Sequence, residues 1–139
     1  MQIITDYITL KSDGHCHIID ITDSVAGSIQ DSQKLNGLVT VFVPGATGAI
    51  TTIEYEPGLL RDFEEFLEKI IPQGKNYYHN MAWHDGNGHS HIRASLIGPS
   101  LTIPLVQGNM TLGTWQNIVF IDFDNRPRSR KLVIQIIGT

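Results

Sequence analysis

The chain opens with residues that alternate between apolar and polar, the two-residue period of a β-strand with one exposed face. This alternation predicts a strand over Gln2 to Leu10, and the β-branched residues of His15 to Thr22 predict a second strand. Ser12, Asp13 and Gly14 between them are typical of a turn. We therefore expect the two strands to form a hairpin.

The next segment predicts one short helix and two strands. Asp23 or Ser24 is a suitable N-cap for a helix that continues through about Gln33. Gly37 to Val43 is a nearly continuous β-branched and aromatic run, which predicts a central strand covered on both faces. Ala49 to Tyr55 predicts another strand after a loop that is rich in Pro and Gly.

The clearest helix begins after Pro57 and ends before Pro72. Its apolar residues recur three and four positions apart, so they form one stripe. They are Leu59, Leu60, Phe63, Phe66, Leu67, Ile70 and Ile71. The opposite face is charged, and we expect the apolar stripe to pack on a sheet as a wall of the core.

The second half of the chain has a polar, histidine-rich segment, Gln73 to Gly98, followed by three predicted strands. These strands are Ser100 to Val106, Leu112 to Phe123 and Ser129 to Ile137. Turn residues between consecutive strands favour antiparallel pairing. We therefore expect an α+β fold: a single compact domain with one core, in which two helices pack on a mostly antiparallel β-sheet.

Composition narrows the class of protein. The 139 residues, 41% of them hydrophobic, suit one globular domain. Lys and Arg number 10 and Asp and Glu number 14, a balance that argues against nucleic acid or a membrane surface as a partner. Cys16, the single cysteine, excludes an internal disulfide and suits the core of a protein in a reducing compartment. The absence of a secretory leader and of a membrane-length apolar run predicts a cytoplasmic protein.

The main functional signal is a cluster of histidines within the polar segment. The cluster consists of His79, His84, His89 and His91, interleaved with Asp85 and Asn87. Imidazole and carboxylate groups are ligands of divalent ions, so we expect a zinc or magnesium site. If residues 89–91 are extended, His89 and His91 share one face and can chelate one ion. The alternative is a set of solvated loop histidines, since no HExxH or CxxC motif is present.

Three arginines alternate near the end of the chain, at Arg126, Arg128 and Arg130. In an extended segment their guanidinium groups would lie on one side and could hold a phosphate group through paired donors. The alternative is an exposed strand edge, or simple pairing with the nearby Asp122 and Asp124.

Two further residues are candidates for chemistry. Thr47, between Gly45 and Gly48, could contribute a hydroxyl to an anion-binding loop. Glu54 could act as a general base or metal ligand, although an ordinary exposed strand position explains it as well. Phosphate-loop, dinucleotide-binding and nucleophile-elbow motifs are absent, which disfavours ATP, NAD and acyl-transfer chemistry.

The stretch from Ser100 to Ile118, SLTIPLVQGNMTLGTWQNI, resembles the signature of the YjbQ-like family. The matching positions are Ser100, Ile103, Leu105, Gly108, Gly113, Thr114, Trp115 and Gln116. Agreement elsewhere extends over nearly the whole chain, at Gly14 to Thr22, Glu54, Pro57, Tyr77, His79, Asp85, Asn87, His91, Pro127, Arg128 and Arg130.

This resemblance implies an α+β homotrimer in which the histidine segment and the Gly-Thr-Trp-Gln turn lie near a shared pocket. It also implies secondary thiamine phosphate synthase activity, which joins a pyrimidine diphosphate to a thiazole phosphate. His79 and His91 stand where the family keeps histidine and are implied as metal ligands or acid/base groups, followed by Asp85 and Asn87. The chain departs from the family near residues 45–47, where a histidine is expected and none is present. Either His84 or His89 replaces that histidine in space, or the site has fewer imidazoles.

The leading hypothesis is a metal-assisted enzyme that acts on a small phosphorylated metabolite. The cation, with Arg128 and Arg130, would neutralise the charge of the departing pyrophosphate. Trp115 would offer a flat face to a heteroaromatic ring, beside Gln116 in the substrate pocket, unless its indole is packed in the core. The alternatives are a metal-dependent hydrolase and a non-enzymatic trimer that binds a metal or metabolite.

Overall fold

The computed structural model describes all residues from Met1 to Thr139, which form eight strands and four helices. In chain order these are β1 (Gln2–Ser12), β2 (His17–Asp20), α1 (Thr22–Ser32), β3 (Gly37–Phe42), β4 (Gly48–Ile53), α2 (Pro57–Ile70), α3 (Tyr78–Trp83), α4 (Gly88–Ile97), β5 (Ser100–Val106), β6 (Asn109–Met110), β7 (Asn117–Asp122) and β8 (Arg128–Gly138). None of the four helices is long and apolar enough to cross a membrane.

The strands form two antiparallel sheets. Sheet A has the order β1-β8-β3-β5-β6, and sheet B has the order β2-β7-β4. The α+β class and the mostly antiparallel pairing are thus confirmed. The predicted opening hairpin is wrong, because β1 pairs with β8 in sheet A whereas β2 pairs with β7 in sheet B.

Buried apolar residues form two clusters rather than the single core that we expected. One cluster of 14 residues lies between the two sheets and α1, and another of 10 residues lies between sheet B and the helices α2 and α4. Strand β7 contributes to both, with Ile118 and Phe120 in the first and Val119 and Ile121 in the second. The strand covered on both faces is therefore β7, at the centre of sheet B.

Strand β3 is central in its sheet, as predicted, but only one of its faces is covered. Val39 and Val41 are fully buried, whereas Leu38 and Phe42 on the other face are 47% and 42% exposed. Apolar residues of β1 and β8 continue this outward face, among them Ile3 and Ile137. A nearly continuous apolar run thus marks a strand whose outer face is apolar but uncovered in the monomer.

Helix α2 begins as the sequence indicates. Pro57 occupies its first turn, and the Glu56 carboxylate accepts hydrogen bonds from the backbone N–H groups of Gly58 and Leu59 at 2.9 and 2.7 Å. Its apolar stripe is only partly a wall of the core. Leu67 is buried, whereas Phe66 is 58% exposed.

Two predicted segments have different boundaries or a different conformation. The strand predicted over Leu112 to Phe123 begins only at Asn117, because Gln116 closes a turn by accepting from the N–H of Gly113. The segment from Gln73 to Gly98, which had no predicted element, contains α3 and α4, so the domain has four helices instead of two.

Candidate functional site

The histidine-rich segment folds into two short helices whose ends are fixed by small and polar residues. Helix α3 ends at Trp83, because the next residue, His84, adopts a left-handed conformation. Gly86 then turns the chain with a φ of 69°. The Asn80 side chain then accepts a hydrogen bond of 2.8 Å from the first N–H of α4, at Gly88. A Cβ at Gly88 would lie 2.7 Å from that of Tyr77, so glycine permits the close approach of the two helices.

This approach places His79 of α3 against His91 of α4. Their ring centroids are 4.4 Å apart, with an interplanar angle of 41°. The Nδ1 atom of His79 is buried without a hydrogen-bond partner, and the nearest carboxylate oxygen, from Asp85, lies 3.5 Å away. Burial and the neighbouring His79 lower the pKa of His91. The pair therefore combines a neutral His91 with an unpaired nitrogen on His79.

His91 lines a depression of about 210 Å³ that we call the histidine depression. The loop between β3 and β4 forms its other wall, through Gly45, Ala46 and Gly48. Gly45 has a φ of 124°, a conformation that side chains disfavour. This glycine loop gives a ligand direct access to backbone groups beside an imidazole.

On the other side of the same loop lies a basic depression of about 420 Å³, which we call the arginine depression. Arg128, Arg130 and Lys131 line it together with Gly45. Gly45 is therefore common to both depressions, and a Cβ there would lie 3.2 Å from Nη1 of Arg130.

Two aspartates form hydrogen-bonded ion pairs with the arginines of this depression. Asp122, fully buried, accepts hydrogen bonds of 2.8 Å from both Nε and Nη2 of Arg130, and it also accepts one from the Ser12 hydroxyl. Burial alone would raise the pKa of Asp122, but these hydrogen bonds hold it below its usual value. Arg130 also donates to the Thr47 hydroxyl at 2.8 Å.

Asp124 connects the arginine side to the histidine side. Its carboxylate accepts from Nη1 of Arg128 at 2.8 Å and from the Asn87 amide at 3.3 Å. Burial opposes ionisation here too, yet hydrogen bonds and the Arg128 charge lower the pKa of Asp124. Asn87 immediately precedes α4, the helix that carries His91. The two depressions thus share a loop and a continuous polar network.

Comparison with known proteins places this arrangement in a family. The family model for "UPF0047 protein YjbQ-like" matches residues 6–139. The chain belongs to the YjbQ-like UPF0047 family. A UPF0047 protein of Archaeoglobus fulgidus is 41% identical over 130 residues, which cover 94% of this chain and 98% of the relative. A UPF0047 protein of Methanothermobacter thermautotrophicus is 39% identical over 138 residues, which cover 99% and 94%.

Solved structures of similar proteins have the same fold. A hypothetical protein from Aeropyrum pernix K1 has a TM-score of 0.91 at 34% identity, covering 98% of this chain and 99% of that chain. An uncharacterized conserved protein of the YjbQ/UPF0047 family from Clostridium acetobutylicum has a TM-score of 0.87 at 38% identity, covering 95% and 99%. Neither name states an activity.

Within the YjbQ-like chain, the four clustered histidines do not converge. Because residues 88–97 are helical, His89 and His91 point to different sides of α4, and the predicted chelation by an extended segment is wrong. His89 lines a separate cavity on the side of α2. His84 is exposed, and its backbone N–H donates to the Asn80 carbonyl at the end of α3. Neither residue replaces the histidine absent from the loop at 45–47, beside which His91 itself lies.

The other predicted pocket residues lie at the opposite end of sheet B. Asp122 and Gly48 are paired at one end of β7, and Ile53 and Asn117 are paired at the other. The strand between them is roughly 17 Å long at about 3.4 Å per residue. At that far end, Glu54 follows the last residue of β4, and Trp115 and Gln116 precede the first residue of β7. Trp115 is 73% exposed, and Gln116 donates to the Thr52 hydroxyl at 3.1 Å. The expected pocket shared by the histidines and this turn does not form within one chain.

The arginines have the partners that the alternative explanation named. Arg128 pairs with Asp124 and Arg130 pairs with Asp122, while Arg126 precedes strand β8. Two residues of the site were not predicted from the sequence. No local pattern marks Ser12, and nothing in the sequence distinguishes Asn80 from an ordinary polar residue. Within the chain, no three His, Cys, Asp or Glu side chains are arranged to hold a metal ion.

Proposed function

We propose that the protein is a metal-assisted enzyme that acts on a small phosphorylated molecule at the Gly45 loop. The observation that carries this proposal is the position of Gly45, which lines both the histidine depression and the arginine depression. One ligand lying across the loop would have its anionic end among cationic side chains and its other end beside His91.

The arginine depression suits a phosphate group electrostatically. Its cations Arg128, Arg130 and Lys131 face only two carboxylate partners, Asp122 and Asp124, so one positive charge is in excess. The aspartates fix the guanidinium planes, which prepares their remaining N–H groups to donate to phosphate oxygens. Because their positions are already fixed, the guanidinium groups would not need to rearrange when negative charge accumulates on a leaving group.

His79 and His91 fit two ligand positions of a divalent ion such as zinc or magnesium. The fit rests on the unpaired, buried Nδ1 of His79 and on the lowered pKa of His91, since ligand imidazoles must be neutral. Asp85 is the nearest carboxylate. The remaining positions would be filled by water, substrate or a neighbouring protomer. When bound, the cation would supply Lewis acidity toward phosphate oxygens.

The most concrete form of this activity is thiamine phosphate synthesis. The bond from the pyrimidine methylene carbon to pyrophosphate breaks, the thiazole nitrogen bonds to that carbon, and pyrophosphate leaves with the bonding electron pair. Arg128 and Arg130 would hold the leaving pyrophosphate, while Asn87 and Asp124 maintain the orientation of Arg128. No proton transfer to the reacting carbon is required.

Product analysis tests this proposal. The protein is incubated with the pyrimidine diphosphate and thiazole phosphate in zinc or magnesium, and thiamine phosphate is measured by mass spectrometry. A parallel phosphatase panel detects a metal-dependent hydrolase. We expect His91→Asn to abolish turnover and His84→Asn, the same change at an exposed histidine, to retain it. Ligand binding without turnover in any metal would instead identify a non-enzymatic binding protein.

We also propose that the chain forms a homotrimer through the outward face of sheet A. This face carries Ile3, Tyr7, Leu38, Phe42 and Ile137, each at least 38% exposed. Exposed apolar patches of this kind mark protein interfaces. Tyr7 also lines the arginine depression, so a second copy seated on the face would border the phosphate site. A neighbouring Trp115 turn could then complete a pocket that one chain leaves open.

A further inference from the structure

We propose that the cavity between α2 and α4 is a second binding site, separate from the Gly45 loop, and that it takes a small aliphatic ammonium ion. The cavity measures about 400 Å³, within the size range of small-molecule sites. Its lining includes His15, Cys16, Glu64, Glu68, His89 and Arg93, and Cys16 is the only apolar residue among its walls. So polar a lining favours a ligand with polar groups of its own.

The strongest indication of a ligand is an unpaired acceptor on a buried side chain. His89 is only 2% exposed, and its Nδ1 atom has no hydrogen-bond partner. The other ring nitrogen, Nε2, lies 3.4 Å from the Ser90 hydroxyl. That hydroxyl already donates its proton to the Phe123 carbonyl, so toward His89 it accepts, and Nε2 carries the ring proton.

The Nδ1 lone pair therefore requires a donor. A buried acceptor without a donor is costly, and a ligand that donates a hydrogen bond to it would remove that cost.

An unpaired carboxylate on the same cavity indicates positive charge on that ligand. Glu65 pairs with Arg61, and Glu68 pairs with Arg93, whose guanidinium also donates twice to the Ile71 carbonyl. Glu64 has no cationic partner in the chain. A protonated amine combines the donor that His89 lacks with the charge that Glu64 lacks.

A metal ion suits the cavity less well. No three His, Cys, Asp or Glu side chains are placed to ligate one. Burial raises the pKa of the Cys16 thiol to about 12, so it is protonated and is a poor ligand. The organic ammonium ion is therefore the occupant that these residues fit.

Calorimetric titration with putrescine, an aliphatic diamine, tests this site on the full chain. We expect saturable binding that butanediol, the uncharged analogue, does not reproduce. Glu64→Gln should weaken it about tenfold, the loss of a charge-assisted hydrogen bond. Asp62→Asn, which removes the same charge from α2 outside the cavity, is the matched control and should leave affinity unchanged.

A second readout locates the ligand independently of the glutamate. The His89 imidazole resonances should shift on titration with putrescine, and His89→Phe should abolish binding while retaining the circular dichroism spectrum. If that variant does not fold, the resonance shift and Glu64→Gln still decide the question. Absence of saturable binding, equal binding of butanediol, equal loss in Asp62→Asn, or displacement by equimolar magnesium would each overturn the proposal.

Discussion

The imidazole rings of His79 and His91 lie 4.4 Å apart because two helices meet at Gly88. The Asn80 side chain of the first helix accepts a hydrogen bond from the first N–H of the second helix, and this bond holds the two helices together. A pair of imidazoles at this separation is arranged for a shared partner, since one of the four ring nitrogens is buried and unpaired.

Replacing either histidine of the pair should lower zinc affinity. We expect His79→Asn and His91→Asn each to weaken binding by at least about tenfold, because each removes a nitrogen ligand. Elemental analysis of protein purified without a histidine tag, followed by calorimetric titration with zinc, measures the effect. His84→Asn is the matched control. Zinc binding of equal strength in all three variants would exclude the pair as ligands.

His91 should also titrate at a lower pH than an ordinary imidazole. Burial and the neighbouring His79 place the pKa of His91 below its usual value of about 6.5. The midpoint of the His91 Cε1–H resonance in an NMR titration should therefore lie below 6.5, and it should rise in His79→Asn because one source of repulsion is removed. An unchanged midpoint in that variant would show that the rings do not interact in solution.

The same shift has a consequence for stability. His89 and His91 both have lowered pKa values in the folded chain, so the unfolded chain binds more protons at mildly acidic pH. Their contribution to stability is complete above about pH 6.5 and is lost as pH falls through the folded pKa values. Urea unfolding between about pH 5 and 7.5 should show a rising free energy of unfolding. A fall over that range would contradict the assignment.

The fold was predictable where one residue pattern had one explanation. The long helix from Pro57 and the alternation in β1 and β8 follow directly from apolar spacing. The Gln73 to Gly98 segment was not predictable, because its two helices are short and lack an apolar stripe. Their ends depend on a side-chain contact of Asn80 and on close packing at Gly88, neither of which is a local pattern.

The sequence indicated some of the side chains that line the candidate site but not how they are arranged. The sequence singled out His79 and His91, whose rings lie side by side in the structure, yet treating 89–91 as extended placed His89 beside them. A change of period from 2 to 3.6 residues moves His89 to the opposite side of α4. Spacing also could not show that Trp115 lies at the far end of sheet B, because only the register of β7 determines that distance.

The buried pair between Asp122 and Arg130 should be important for stability. Arg130→Met leaves a fully buried carboxylate without its cation, and we expect the free energy of unfolding to fall by about 3–5 kcal/mol. Arg61→Met breaks the exposed pair with Glu65 and should cost less than about 1 kcal/mol. Urea unfolding at pH 7 measures both. Equal losses would show that Asp122 has an alternative partner.

Glycine at position 45 should be required for both stability and ligand access. Gly45→Ala introduces a side chain at a φ of 124°, 3.2 Å from Arg130, and should cost about 1–3 kcal/mol. Gly27→Ala is the opposite case, since nothing lies within 4 Å of the Cβ that alanine would add at this helical position. We expect it to raise the free energy of unfolding by about 0.5–1 kcal/mol. Urea unfolding compares them. A neutral Gly45→Ala variant would show that the loop readily changes conformation.

The outward face of sheet A should hold the trimer together. Phe42 is 42% exposed in the monomer, so Phe42→Glu should not affect the core but would bury a charge in any interface that covers the face. Light scattering should give three times the chain mass for the natural sequence and the monomer mass for Phe42→Glu. Phe66→Glu makes the same change on α2, at a side chain 58% exposed, and should remain trimeric. A natural chain that is monomeric at micromolar concentration would remove the trimer, and a trimeric Phe42→Glu variant would move its interface away from this sheet.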